Sequence, residues 1–160
     1  MAATPITPST RYIPPGTTQY YWVPSIANIQ APSRAELDAG TDLTGEVADV
    51  AGFSQASDQV DTPDLKTRFV PKIPGRINAA DSSLTLYASA DSNDARSLMP
   101  IDAVGNIVVF GEGDTPALKM DVYPVKVSSP EKQRAVEDPS KIMFAYSVTA
   151  APAENITVPS

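Results

Sequence analysis

Proline constrains this chain more than any other feature: 16 of its 160 residues are proline, spread from Pro5 to Pro159. That is about twice the usual share. Proline fixes φ and lacks a donor N–H, so it breaks helices and is confined to edges, bulges and turns of sheets. The pattern predicts short elements, many turns and extended arms rather than long helices. The length suits one domain with a single hydrophobic core.

The next constraint is chemical. The chain has no histidine and no cysteine. Disulfides, thiolate nucleophiles, Ser-His-Asp triads and His/Cys metal sites are therefore excluded. The net charge is −7. An acidic chain does not hold nucleic acid by its backbone, which requires clustered Lys and Arg, but it can form a surface past which DNA slides. No apolar run approaches the roughly 18 residues of a membrane span. The first 15 residues contain one basic residue and no apolar stretch, so no secretory leader and no membrane partner are expected.

Residues 1–18 carry four prolines and five threonines and read as an extended arm. Residues 19–29 hold Tyr20, Tyr21, the sole Trp22, Val23, Ile26 and Ile29, a strand interrupted at Pro24. Aromatics on both faces of such a strand fit a core or a subunit interface. Ser33-Arg34-Ala35-Glu36 is a capping box, with Gly40 beyond it, and predicts a short helix over 34–39. Residues 45–53 alternate weakly as a strand. Residues 54–74 are polar, contain Pro63, Pro71 and Pro74, and read as a long loop of a length that is often functional.

Residues 82–89 form a clear strand with Leu84, Leu86 and Ala88 on one face and Thr85 and Tyr87 on the other. A helix follows over 93–99, capped from Asp91-Ser92-Asn93 and stopped by Pro100. The run 106–110 is a short apolar strand. In 118–128, Met120 and Val122 share one face while Tyr123, Val125 and Val127 share the other, a phase change that predicts a bulge or edge position near Pro124. Ser129-Pro130-Glu131 reads as a helical or tight turn. Residues 141–150 are the best strand, and 151–160 a Pro-bounded tail. Roughly five to seven strands with two short helices predict a β-sandwich or barrel.

Catalytic and metal motifs fail on inspection. Ser129-Pro130-Glu131-Lys132 matches S-x-x-K but lacks its partner motifs, and Pro130 favours an N-cap. Asp91-Ser92-Asn93-Asp94 opens like a calcium loop, yet Ala95 and Arg96 replace the required oxygen ligand and glycine. No carboxylate pair is assembled for hydrolysis. No enzyme activity, cofactor or metal site is expected. Charge segregation is more telling. Eight acidic residues lie between Arg34 and Lys66 with no basic residue among them: Glu36, Asp38, Asp42, Glu46, Asp49, Asp58, Asp61 and Asp64. Lys66, Arg68, Lys72 and Arg76 follow. Two solvated surfaces would explain this; so would complementary patches for head-to-tail assembly.

The segments APSRAELDAGTDLTGEV (31–47), GFSQASDQVDTPDLKTRFVPKIPGR (52–76), SSLTLYA (82–88), KMDVYPVKVSSPEKQR (119–134) and PAENITVP (152–159), taken in this order, resemble the major tail proteins of long-tailed phages, particularly those infecting actinobacteria. The resemblance implies a mainly β, two-sheet antiparallel tail-tube sandwich or barrel, with one or two short helices and extended arms. It divides the chain into an arm (1–18), a tail-tube β domain (19–150, with the loop 54–74) and a C-terminal tail (151–160). It implies a siphophage-type, non-contractile tail tube of helically stacked hexameric rings. Its partners would be other copies of itself, a tape-measure protein, and tail-tip and terminator proteins. DNA would cross the lumen without specific binding. The protein would reside in the virion tail and, during assembly, the host cytoplasm. By position, loop 54–74 matches a ring-stacking loop. Tyr20, Tyr21 and Trp22, with Asp58, Asp61, Asp64, Lys66, Arg68, Lys72 and Arg76, are then candidate interface residues. Thr85 and Tyr87, or Met143, Ala145 and Ser147, are candidate lumen residues. The competing reading is a capsid-decoration or carbohydrate-binding β-sandwich module.

Overall fold

The computed structural model describes residues 2–160. The strands and helices are, in chain order, β1 (Gln19–Val23), α1 (Arg34–Asp38), β2 (Thr41–Asp42), a 3₁₀ turn at Thr44–Glu46, β3 (Val47–Ala51), β4 (Gln55–Asp61), β5 (Lys72–Ala79), β6 (Ser82–Tyr87), α2 (Ala95–Leu98), β7 (Val104–Phe110), β8 (Lys119–Gln133), β9 (Lys141–Val148) and β10 (Ala153–Thr157). The chain is mainly β, with antiparallel pairing throughout, as the proline pattern and strand spacing predict.

Eight strands form one sheet in the order β2-β1-β7-β8-β9-β6-β3, with β10 added on β8; β4 and β5 pair separately. The long strand β8 belongs to two layers. Its first part pairs with β7 on one edge and β10 on the other, and its second part pairs with β9. A register shift between Val127 and Ser129 bends it. Pro124 sits where the neighbour changes from β10 to β9, so its missing N–H interrupts no ladder, while its carbonyl still accepts from Thr149 N at 3.0 Å.

Two cores result. Trp22, Leu84, Leu86, Ile107, Tyr123, Val125, Val127, Ile142, Phe144 and Tyr146 fill the space between the two layers. Val23, Leu37, Val108, Phe110, Met120, Val122, Ala153 and Val158 fill a second core under α1 and the C-terminal strand. The phase change expected near Pro124 therefore has another cause. The first part of β8 is buried on both faces, so Met120 and Val122 serve one core while Tyr123 and Val125 serve the other.

The helices follow their capping signals. Ser33 Oγ accepts from Glu36 N, and the Glu36 carboxylate accepts from Ser33 N at 2.8 Å and from Ala27 N at 2.8 Å. Those backbone donors hold the Glu36 carboxyl below its usual pKa. Arg34 grips Asp114 with both guanidinium nitrogens, at 2.5 and 2.7 Å, and so ties α1 to the turn after β7. At α2 the cap is Asp94, which accepts from Arg96 N, and the helix is shorter than the expected 93–99.

Three expectations are corrected. Residues 54–74 are not a loop: β4 and β5 pair as a hairpin, and only 62–71 form its tip. Ser129-Pro130-Glu131 starts no helix; it continues β8, where Pro130 opposes Phe144. The tail 151–160 contains a strand, β10, pinned to β8.

Candidate assembly surface

The β4–β5 hairpin leaves the body at a fixed root. Gly52 (φ +79°) and Phe53 (φ +54°) are consecutive left-handed residues that turn the chain out of β3. Glycine is required at 52, because a Cβ there would lie 2.2 Å from the Asp81 carbonyl oxygen. Phe53 pays for its own positive φ with contacts: its ring packs on Tyr123, Tyr146 and Tyr20, with centroids 5.4, 6.1 and 6.4 Å away. Its N–H donates to Ser82 Oγ at 3.0 Å, and its carbonyl oxygen lies 2.6 Å from the Tyr123 hydroxyl. Glu154 Oε1 is a second acceptor for that hydroxyl, at 2.8 Å. Burial, then the hydrogen bond to Glu154 and its charge, raises the Tyr123 pKa.

Beyond the root the two strands pack chiefly on each other. An isolated hairpin of this kind is marginal in water. Its register places Val60 opposite Ile73 and Asp61 opposite Lys72, and that last pair forms an exposed ion pair at 3.0 Å. A one-residue bulge between Ser57 and Gln59 in the pairing shifts the phase of β5, so Ile77 and Ile73 stand on opposite faces. Both faces thus carry exposed apolar side chains. At the tip, Asp64 Oδ1 accepts from the N–H groups of Lys66 and Thr67, which gives the turn a defined shape. Leu65 and Phe69 nevertheless stand open to solvent, Phe69 at 75 % exposure. Lys66 and Arg68 are exposed beside them and Arg76 is exposed further down β5; none of the three has a carboxylate partner among the described residues.

The structure thus gathers seven of the expected interface residues on one projecting arm: Asp58, Asp61, Asp64, Lys66, Arg68, Lys72 and Arg76. It separates the aromatic trio from them. Trp22 is 2 % exposed and packs against Gly105 in the core, so it is corrected to a core residue. Tyr20 and Tyr21 are half-buried in β1. The Tyr21 hydroxyl donates to Asp114 at 3.2 Å, and burial with that carboxylate pushes its pKa up to about 12. Thr85 is buried on the outer face of β6, between its partners Asp49 and Met143, while Tyr87 is exposed beneath the Lys141 ammonium. Sequence reasoning missed the apolar half of the arm, namely Val60, Leu65, Phe69, Ile73 and Ile77.

A second open feature lies where the sheet fails to close. β1 and β3, near opposite ends of the strand order, face each other across a groove of about 520 Å³. Pro14, Tyr20, Thr44, Val47 and Val50 line it, with Asp49 on its wall. Burial in this wall raises the Tyr20 pKa. No group of three or more acidic side chains is placed to hold a metal among the described residues.

The family model for phage tail tube proteins matches residues 4–160, nearly the whole chain. The chain belongs to the phage tail tube protein family. It is therefore a structural protein of the phage tail, carried in the virion, and not an enzyme. No curated protein matches it in sequence. Among solved structures, a chain of the cryo-EM structure of the anti-feeding prophage (AFP) baseplate, 6-fold symmetrised, shares the fold with a TM-score of 0.57. The two are 9 % identical, and the match covers 91 % of this chain and 94 % of that one. The tail tube family assignment displaces the decoration and sugar-binding readings; the latter also needed an accessible aromatic platform, and Trp22 is buried.

Proposed function

We propose that this tail tube protein is the repeating subunit of a non-contractile, siphophage-type tail, closing into hexameric rings that stack helically around a lumen through which DNA passes to the host. The observation that carries the reading is the β4–β5 arm, which exposes apolar side chains on both faces and cations at its tip. Such a surface is stabilised when another chain covers it. Copies meeting head to tail close into rings or propagate as stacks. The open edge of the sheet along β8 beyond Val127 suits pairing between neighbouring copies in a ring.

The lumen is assigned to the outer face of β6 and β9, where Thr85, Tyr87, Met143, Ala145 and Ser147 alternate with core residues. Tape-measure, tail-tip and terminator proteins are the further partners, and assembly takes place in the cytoplasm of a host that segment similarity suggests is an actinobacterium. Negative-stain microscopy of the purified protein tests this reading. Six-fold rings or tubes are the expected result. A protein that stays monomeric at high concentration, even with a tail-tip nucleus present, overturns it.

A further inference from the structure

Arm and groove are complementary in three respects. The arm tip is apolar and empty-handed: Leu65 and Phe69 touch little in their own subunit. The groove between β1 and β3 is apolar on its floor, where Tyr20, Val47 and Val50 lie. Their rims carry opposite charge. Lys66 and Arg68 flank the tip, while Asp49 lines the groove and Glu46 is exposed just before β3. None of these four charges has an ion-pair partner among the described residues. Elsewhere on the surface the cations Arg34, Arg96 and Lys126 do find carboxylates in their own chain.

We propose that the arm tip of one copy seats in the β1–β3 groove of another copy, with Phe69 and Leu65 against Tyr20, Val47 and Val50, and with Lys66 and Arg68 facing Glu46 and Asp49. The proposal rests on the self-assembly reading above and gives it a specific contact. Knob and socket lie on different parts of the subunit, so the contact is heterologous and repeats from copy to copy. Insertion removes apolar surface from water on both sides. The rim charges then select the partner and the register. The occupied groove also fills the gap that the eight-stranded sheet leaves between its ends.

The natural absence of cysteine allows a direct test in the full-length chain. The double variant Phe69→Cys with Val50→Cys is assembled and oxidised, and chain-to-chain disulfides are read as a ladder on a non-reducing gel. Asp49→Cys replaces Val50→Cys in a parallel variant, because that exposed position does not disturb packing. Phe69→Cys with Ile101→Cys is the control, Ile101 being exposed at the start of the turn before β7. The expected result is a ladder from the groove positions and none from the control. Tubes or rings that form without a groove ladder, or with an equal ladder from the control, overturn the docking site and leave the assembly reading intact. A chain that never associates overturns both. In the same assay, Lys66→Glu with Arg68→Glu is expected to raise the concentration needed for assembly about tenfold. Adding Glu46→Lys and Asp49→Lys is expected to recover it; no recovery speaks against the charge pairing.

Discussion

The eight-stranded body and the β4–β5 arm use the same antiparallel ladder but end with opposite surfaces. In the body, inward-facing residues such as Leu84, Ile107 and Phe144 are fully buried, and the leading charged groups are paired. In the arm, Val60, Phe69, Ile73 and Ile77 are exposed, and most of the charges are unpaired. The body has finished folding when its own chain closes around two cores. The arm has hydrogen bonds and a fixed root but no core. What the difference teaches is that secondary structure and burial are separable. A segment can be regular in its backbone and still depend on another molecule to cover it.

Substitutions should distinguish the two regions sharply. The largest effect is expected from Phe144→Ala, which empties the centre of the inter-layer core and should cost about 3–5 kcal/mol in denaturant unfolding. A loss below about 1 kcal/mol would mean the body is not packed as described. Next comes Gly52→Ala at the joint between the regions. It combines an unfavourable φ with a Cβ forced onto the Asp81 carbonyl, and about 2 kcal/mol should be lost. Wild-type stability for this variant would show that the root can relax.

A smaller effect, and one that depends on pH, is expected from Asp114→Asn. The Arg34 guanidinium holds the Asp114 carboxyl below its usual pKa. A carboxylate whose folded pKa is depressed stabilises the protein above its unfolded value, near pH 4, and that stability is lost as pH falls through the folded pKa. The variant should therefore be about 1–2 kcal/mol less stable than wild type at pH 7. The gap should close in thermal melts as pH is lowered from about 4 towards 2. A gap that stays constant through that window would assign the loss to packing rather than charge. The smallest effect on folding belongs to the arm: Phe69→Ala should change monomer stability by less than about 0.5 kcal/mol. A loss several times larger would place Phe69 in the fold itself.

How much of this was legible in sequence depended on whether one face alone carried the signal. β9 was readable because Ile142, Phe144 and Tyr146 alternate with exposed or half-buried neighbours. β8 gave the correct strand but a misleading phase change, because two cores claim its two faces. β5 was hidden by Pro74-Gly75 and by the bulge that moves Ile77 out of step with Ile73. β10 was hidden by a register shift and by Asn155 at φ +59°. The charged half of the arm was visible as a segregated run. The groove was not, because Pro14, Tyr20 and Val50 are remote in sequence and meet only through the ends of the sheet. Trp22 misled because an aromatic strand fits an interface and a core equally well.

The sharing of β8 between two layers has a mechanical consequence. Its 15 residues run from the β7 and β10 side of the body to the β9 side without a break. A pull that enters one layer leaves through the other along covalent backbone, not across side-chain contacts. To slide the layers apart, that force must shear rows of hydrogen bonds on both flanks of one strand together. The subunit is thus stiff along β8 and able to transmit tension lengthwise.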